Sequence, residues 1–206
     1  MLYELHTHSR YSDGIPSPGQ IIDRARKLGL AGIAITDHNA IQGALDALAV
    51  KQGDVKVISG IEVSAVEGHI LALDVKELIP RGLSAGKTVE RIHSSGGIAI
   101  AAHPYDRYRK GVGDLILKLP FDAVEVVNAH TFGNTKDPVK MATEAGLPMT
   151  GGSDAHTLGE IGCVTCDVDG GILSAIKAGE IGIMKDKTHS MMLKHARGLF
   201  KRRLGI

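Results

Sequence analysis

Strand-length apolar runs recur along this chain, and each ends in residues that can bind a metal or carry a proton. Residues 2–5 lead into His6, residues 32–36 into His38, and residues 55–61 into Glu62. Residues 98–102 lead into His103, residues 123–127 into His130, and residues 148–151 into Asp154 and His156. Helical patterns separate these runs. Ser17-Pro18 with Gln20 is a helix start, with Ser as cap and Gln at the reciprocal capping position. Ile21, Ile22, Ala25 and Leu28 then share one face, and Gly29 ends it. Further helices are expected over residues 42–51, 84–95, 112–118, 137–145 and 172–178, and late strands over 164–168 and 181–185. Residues 68–73, which carry His69, read as a strand paired in a hairpin.

Strands that alternate with helices and are apolar on both faces form a parallel sheet covered by helices. About seven βα units fit an α/β barrel better than a doubly wound open sheet. Six strand ends bearing His, Glu or Asp also favour closure, because a barrel gathers those ends on one rim.

The sharpest local signal is His6-Thr-His8, followed by Asp13 and Gly14. In an extended backbone, residues i and i+2 point to the same side, so both imidazoles aim at one point. Any one histidine taken alone reads as a hydrogen-bonded loop residue. The recurrence of the pattern points instead to a divalent transition metal held by nitrogen and oxygen ligands, with open positions. Cys163 and Cys166 form a lone pair without the other half of a zinc site and read as structural.

Composition narrows the class. A chain of 206 residues with 43% hydrophobic content can build one sizeable core. Trp is absent, so the core must come from Ile, Val, Leu and Ala. The sequence contains neither a membrane-length apolar run nor a secretory leader pattern, and two cysteines do not make a secreted disulfide scaffold. A cytoplasmic location is the resulting expectation. Charge is uneven. Six of the 24 Lys and Arg residues, and none of the 23 acidic ones, follow Asp186. The expected division is therefore a barrel over residues 1–186 and a basic helical tail over 187–206, packed on the same domain. That tail could also serve as an electrostatic contact for nucleic acid.

The strings HTHSRYSDG, TDHN, GIE, AHP and GGSDAH, in this order, resemble the motifs of the PHP (polymerase and histidinol phosphatase) family. The resemblance runs from residue 2 to about residue 168. It implies a distorted (β/α)7 barrel with its site at the C-terminal ends of the strands, two or three divalent ions (Mn, Fe or Zn), and phosphoesterase chemistry. Carried over position by position, His6, His8, Asp154 and Glu62 would hold the first ion. Glu62 would bridge to a second, held by His103 and His130. Asp13, His38 and His156 would hold a third. Glu62, Asp154 and His156 are the expected catalytic residues, acting through a metal-bridging hydroxide.

Around this set, His69, Arg107, Arg109 and Lys110 are candidate substrate contacts, since Arg suits bidentate phosphate recognition. The plainer alternative for the three cations is a solvated basic loop. The expected substrate is a phosphate monoester or diester: a phosphorylated metabolite, a nucleotide or an oligonucleotide end. Two rival functions are a non-catalytic metal-binding module of the same family and hydrolysis of a C–N bond on an amidohydrolase-like layout.

Overall fold

A computed structural model describes residues 1–50 and 53–185. The expected basic tail, and Lys51 at the end of the second helix, lie outside the described residues. The order is β1 (Leu2–Glu4), α1 (Pro18–Lys27), β2 (Gly32–Ile35), α2 (Gln42–Ala49), β3 (Lys56–Ser64) and β4 (His69–Leu73). There follow α3 (Ala85–Ser94), β5 (Ile98–Ala101), a 3-10 turn (Gly113–Leu117), β6 (Ala123–Asn128) and α4 (Pro138–Ala145). The last elements described are β7 (Met149–Gly152), β8 (Val164–Asp167), α5 (Ile172–Ala178) and β9 (Gly182–Lys185).

Local chemistry sets the helix ends. Ser17 caps α1 by accepting from Gln20 N at 3.3 Å, and the Gln20 side chain accepts from Ser17 N at 2.9 Å. Asp137 caps α4, and Gly146 ends it in the left-handed conformation at φ 66°. Helix α1 buries Ile21, Ile22 and Ala25 against Ile33 and Ile35 of β2.

The strands form one sheet in the order β7-β6-β5-β4-β3-β2-β1-β8-β9. It curls into a nearly closed barrel. One apolar cluster runs through Tyr3, Ala34, Ile58, Leu71, Ile100, Ala123 and Cys166 of seven neighbouring strands. At the rim, the chain beyond β1 meets the chain beyond β7: His8 N donates to Ala155 O at 2.8 Å and Ala155 N to His6 O at 3.1 Å. Below that, side chains span the join between β7 and β8. Ser153 Oγ bonds both Val164 N and Val164 O, and Gly151 N donates to Cys166 Sγ.

Two expectations are corrected. The sheet is mixed, not wholly parallel: β4 runs against β3, as the hairpin reading expected, and also against β5, and β8 runs against β1 and β9. The turn from Ser64 to His69 is far too short for a parallel crossover, which needs a dozen or more residues. Glu62 also does not follow the end of its strand. It lies inside β3, which runs on to Ser64 because it changes partners. Its first half pairs parallel with β2 (Gly32↔Lys56 to Ile35↔Ser59), and its second half pairs antiparallel with β4 (Gly60↔Leu73 to Ser64↔His69).

Candidate metal centre

The strand ends converge on the Glu62 carboxylate. Its Oε2 lies 3.2 Å from His6 Nε2, 3.3 Å from His8 Nε2 and 3.2 Å from His38 Nδ1. Its Oε1 lies 2.9 Å from His69 Nδ1 and 3.1 Å from His103 Nε2. Asp154 Oδ1 joins the first set, 3.1 Å from His8 Nε2 and 3.5 Å from His6 Nε2. His6, His8, Glu62 and Asp154 are all buried, and one ligand atom of each lies within 4.8 Å of the others. Toward solvent, Asp13 meets His156 Nε2 at 3.2 Å and His38 Nε2 at 3.7 Å, so His8, Asp13, His38 and His156 form a second such group.

Backbone geometry delivers these groups. His103 and Asp154 both hold positive φ, 30° and 54°, a costly conformation for residues with a Cβ. The reversed strand β4 explains His69: an antiparallel strand starts at the rim where its neighbours end, so its first residue faces Glu62. His69 thus stands beside Glu62 and His103, where the sequence reading placed His130. His130 lies instead with His156 and Glu160, its Nε2 3.6 Å from Glu160 Oε1.

Of the three basic candidates, Arg109 lines the cavity of about 300 Å³ above Glu62, whereas Arg107 and Lys110 are exposed and outside that lining. The Arg109 guanidinium pairs with Asp154, meets Asp106 Oδ2 at 2.8 Å and Asn128 Oδ1 at 3.0 Å, and reaches Thr131 Oγ1 at 3.2 Å.

Several supporting residues escaped the sequence reading. Glu125, buried inside β6, accepts from His6 Nδ1 at 2.9 Å, His103 N at 2.9 Å and Asn128 Nδ2 at 3.0 Å. Its signal was there: a lone Glu in the apolar run Ala-Val-Glu-Val-Val. Asp37 accepts from Ser9 N, Ser9 Oγ and Ser12 Oγ at 2.7–2.8 Å and fixes the loop after the two histidines. Glu160 accepts from His156 N at 2.8 Å and Thr157 N at 2.9 Å.

The electrostatics suit cation binding. Burial alone would raise the Glu62 and Asp154 carboxyls, but His6 and its neighbours more than reverse this and hold both well below their usual range. Burial likewise opposes charge on His8, yet Asp154 and Glu62 lift it to about 9. Despite this crowding, His6 Nε2, both His8 ring nitrogens, Glu62 Oε2, His69 Nδ1 and His103 Nδ1 are buried and make no well-directed hydrogen bond. Native proteins rarely leave so many buried polar atoms orphaned in one place. A nitrogen-and-oxygen donor set with no thiolate fits divalent ions such as Mn, Fe or Zn.

Known proteins resemble this chain in sequence and in fold. An uncharacterised protein of Methanocaldococcus jannaschii, MJ1587, is 40% identical over 142 residues, 63% of this chain and 83% of that one. The phosphoribosyl 1,2-cyclic phosphate 1,2-diphosphodiesterase of Eggerthella lenta is 38% identical over 105 residues, 46% of this chain but only 39% of that longer protein. In structure, the chain is similar to a two-domain Bacteroides vulgatus protein containing a PHP-like metal-dependent phosphoesterase. The TM-score is 0.75 at 17% identity, covering 90% of this chain and 64% of the other. The sequence model of the PHP domain matches residues 4–193. With the barrel and its histidine-lined rim in place, that match assigns the chain to the PHP domain family.

Proposed function

We propose that this protein is a metal-dependent phosphoesterase that hydrolyses a phosphate monoester or diester. The observation that carries the reading is Glu62, a single buried carboxylate in contact with five histidines, several of whose ring nitrogens make no well-directed hydrogen bond. His6, His8, Glu62 and Asp154 would hold one divalent ion. Glu62 would bridge to a second near His38, His69 and His103. Asp13, His156 and His130 would complete the outer part of the centre. A bound ion in such a site supplies water activation near neutral pH and counter-charge for the phosphoryl oxygens.

The remaining roles belong to the chain. Glu125 can only accept, so His6 carries its proton on Nδ1 and presents the Nε2 lone pair to the centre. His156 Nδ1 faces the Asp154 carbonyl at 2.8 Å, which likewise turns Nε2 toward Asp13. Arg109, on the cavity wall, sets a fixed cation beside the place where an anionic ester would sit.

Glu62→Gln tests the reading. It keeps the size of the side chain but removes the charge and one good ligand oxygen. After reconstitution with Mn, the variant should keep the fold, hold less metal per chain, and turn over bis-p-nitrophenyl phosphate and p-nitrophenyl phosphate about a hundredfold or more slower than wild type. Full metal occupancy with a near-normal rate would refute the bridging role.

A further inference from the structure

Two large aromatic side chains stand at the mouth of the cavity. Tyr108 is 75% exposed and Phe132 is 56% exposed, and both line the same cavity as Glu62, His103 and Arg109. Scattered surface hydrophobics are ordinary; two aromatics sharing the rim of a polar, histidine-floored cavity are not.

Their placement is built in. The loop after β5 and the loop after β6 run antiparallel. Asp106 bridges Asn134, Arg107 N donates to Gly133 O at 3.0 Å, and Thr135 N donates to Tyr105 O at 2.8 Å. That bridge ties the loop carrying Tyr108 to the loop carrying Phe132 two residues from each ring, so both rings belong to one joined pair of loops. Both loops are pinned from below by one group. Arg109 binds Asp106 on the first loop and Thr131 on the second, and it pairs with Asp154 in the centre. Asp106 Oδ1 also accepts from Tyr108 N at 2.8 Å, which fixes the backbone that carries the first ring. The two loops that carry the rings are thus tied to each other and, through Arg109, to Asp154 on the floor of the cavity.

A charged floor and an aromatic lip ask for a substrate with a phosphate at one end and a flat, apolar face at the other. A nucleobase has that face, and base-on-aromatic stacking tolerates any base. A sugar phosphate or an aliphatic amino-alcohol phosphate has nothing to offer the lip. Resting on the phosphoesterase reading above, we propose that Tyr108 and Phe132 stack on a nucleobase, so that the substrate is a base-bearing phosphate ester.

The test compares base-bearing with base-free esters on wild type, Tyr108→Ala, Phe132→Ala, the double variant and Tyr108→Phe. The base-bearing set is 5′- and 3′-mononucleotides, nucleoside 3′,5′-bisphosphates and 5′-phosphorylated trinucleotides; the base-free set is ribose 5-phosphate and glycerol phosphate. Wild type should favour base-bearing esters at least tenfold in kcat/KM. Each Ala variant should shrink that ratio about tenfold, mainly through KM, and Tyr108→Phe should retain it. Mononucleotides against trinucleotides shows whether the base belongs to a free nucleotide or a strand end. No preference in wild type, or a preference that survives in the double variant, overturns the lip. Calorimetric binding of the same compounds to the Mn-loaded protein reads the lip without turnover. Equal affinity for both sets refutes it even if hydrolysis is found. A preference abolished in the double variant supports it even if the phosphoesterase reading fails.

Discussion

Glu125→Gln probes how far the centre depends on a residue that never touches its ligand atoms. The carboxylate accepts three hydrogen bonds, from His6 Nδ1, His103 N and Asn128 Nδ2, at 2.9, 2.9 and 3.0 Å. An amide has one accepting and one donating end. If its oxygen faces His103 N and Asn128, its NH₂ meets His6 Nδ1, which must then give up its proton. The ring moves to the other tautomer and points an N–H, not a lone pair, at the centre. If the oxygen faces His6, the NH₂ opposes two donors instead. The first arrangement costs metal affinity, typically 10–100-fold for an outer partner of a ligating histidine. The second costs roughly 1–3 kcal/mol of stability for buried unsatisfied donors, or about 2–12 °C in Tm for a chain of this size. Chelator-competition titration with Mn, alongside thermal melts of the metal-free protein, separates the two. A variant with wild-type affinity and wild-type Tm would refute the positioning role.

In metal-free protein, His8 is lifted to about 9 from an ordinary 6.5 because Asp154 and Glu62 outweigh the burial that opposes its charge. The stability this adds is complete below pH 6.5 and lost as pH rises through 9, so metal-free Tm should fall over that window. Metal affinity should rise across the same window with proton release, because ligation needs neutral imidazoles; titration in buffers of different ionisation enthalpy measures this, and a pH-independent affinity would refute it. Gly152→Ala would place a Cβ 2.5 Å from both Glu125 Oε1 and His6 Cβ. It should cost about 1–3 kcal/mol in a denaturant melt and loosen Mn binding, and an unchanged melt would show that the Glu125–His6 contact tolerates displacement.

The sequence was most readable where one local rule governed. The reciprocal cap at Ser17 and the apolar face of α1 are properties of a few adjacent residues, and they formed as expected. The gathering of His6, His38, Glu62, His103 and Asp154 was also legible, since a barrel leaves strand ends nowhere else to go. Long-range choices were not. Whether a short strand pairs parallel or antiparallel depends on its neighbours: the β3–β4 hairpin was legible from the short turn between them, but neither the place of His69 beside Glu62 nor the reversal of β8 against β1 was. Glu125 was overlooked because a strand reading looks for apolar alternation and passes over a buried charge whose partner lies 119 positions away. The loop carrying Arg107, Arg109 and Lys110 offered three similar cations, and only tertiary contacts turn Arg109 inward.

The change of partners within β3 has a mechanical meaning. Glu62 is positioned by two rulers of opposite polarity, one read from β2 and one from β4. A slip of β3 itself by one residue would turn Glu62 out of the barrel and its flanking Ile61 and Val63, both fully buried, toward the cavity. For β3 to slip as a whole, both ladders would have to fail together. Length changes in the turn between β3 and β4 would therefore be absorbed at His69, leaving Glu62 calibrated by β2. The carboxylate on which the whole centre converges thus sits at the best-registered point of the sheet, while the histidines around it hang from single strands and loops that can vary one at a time.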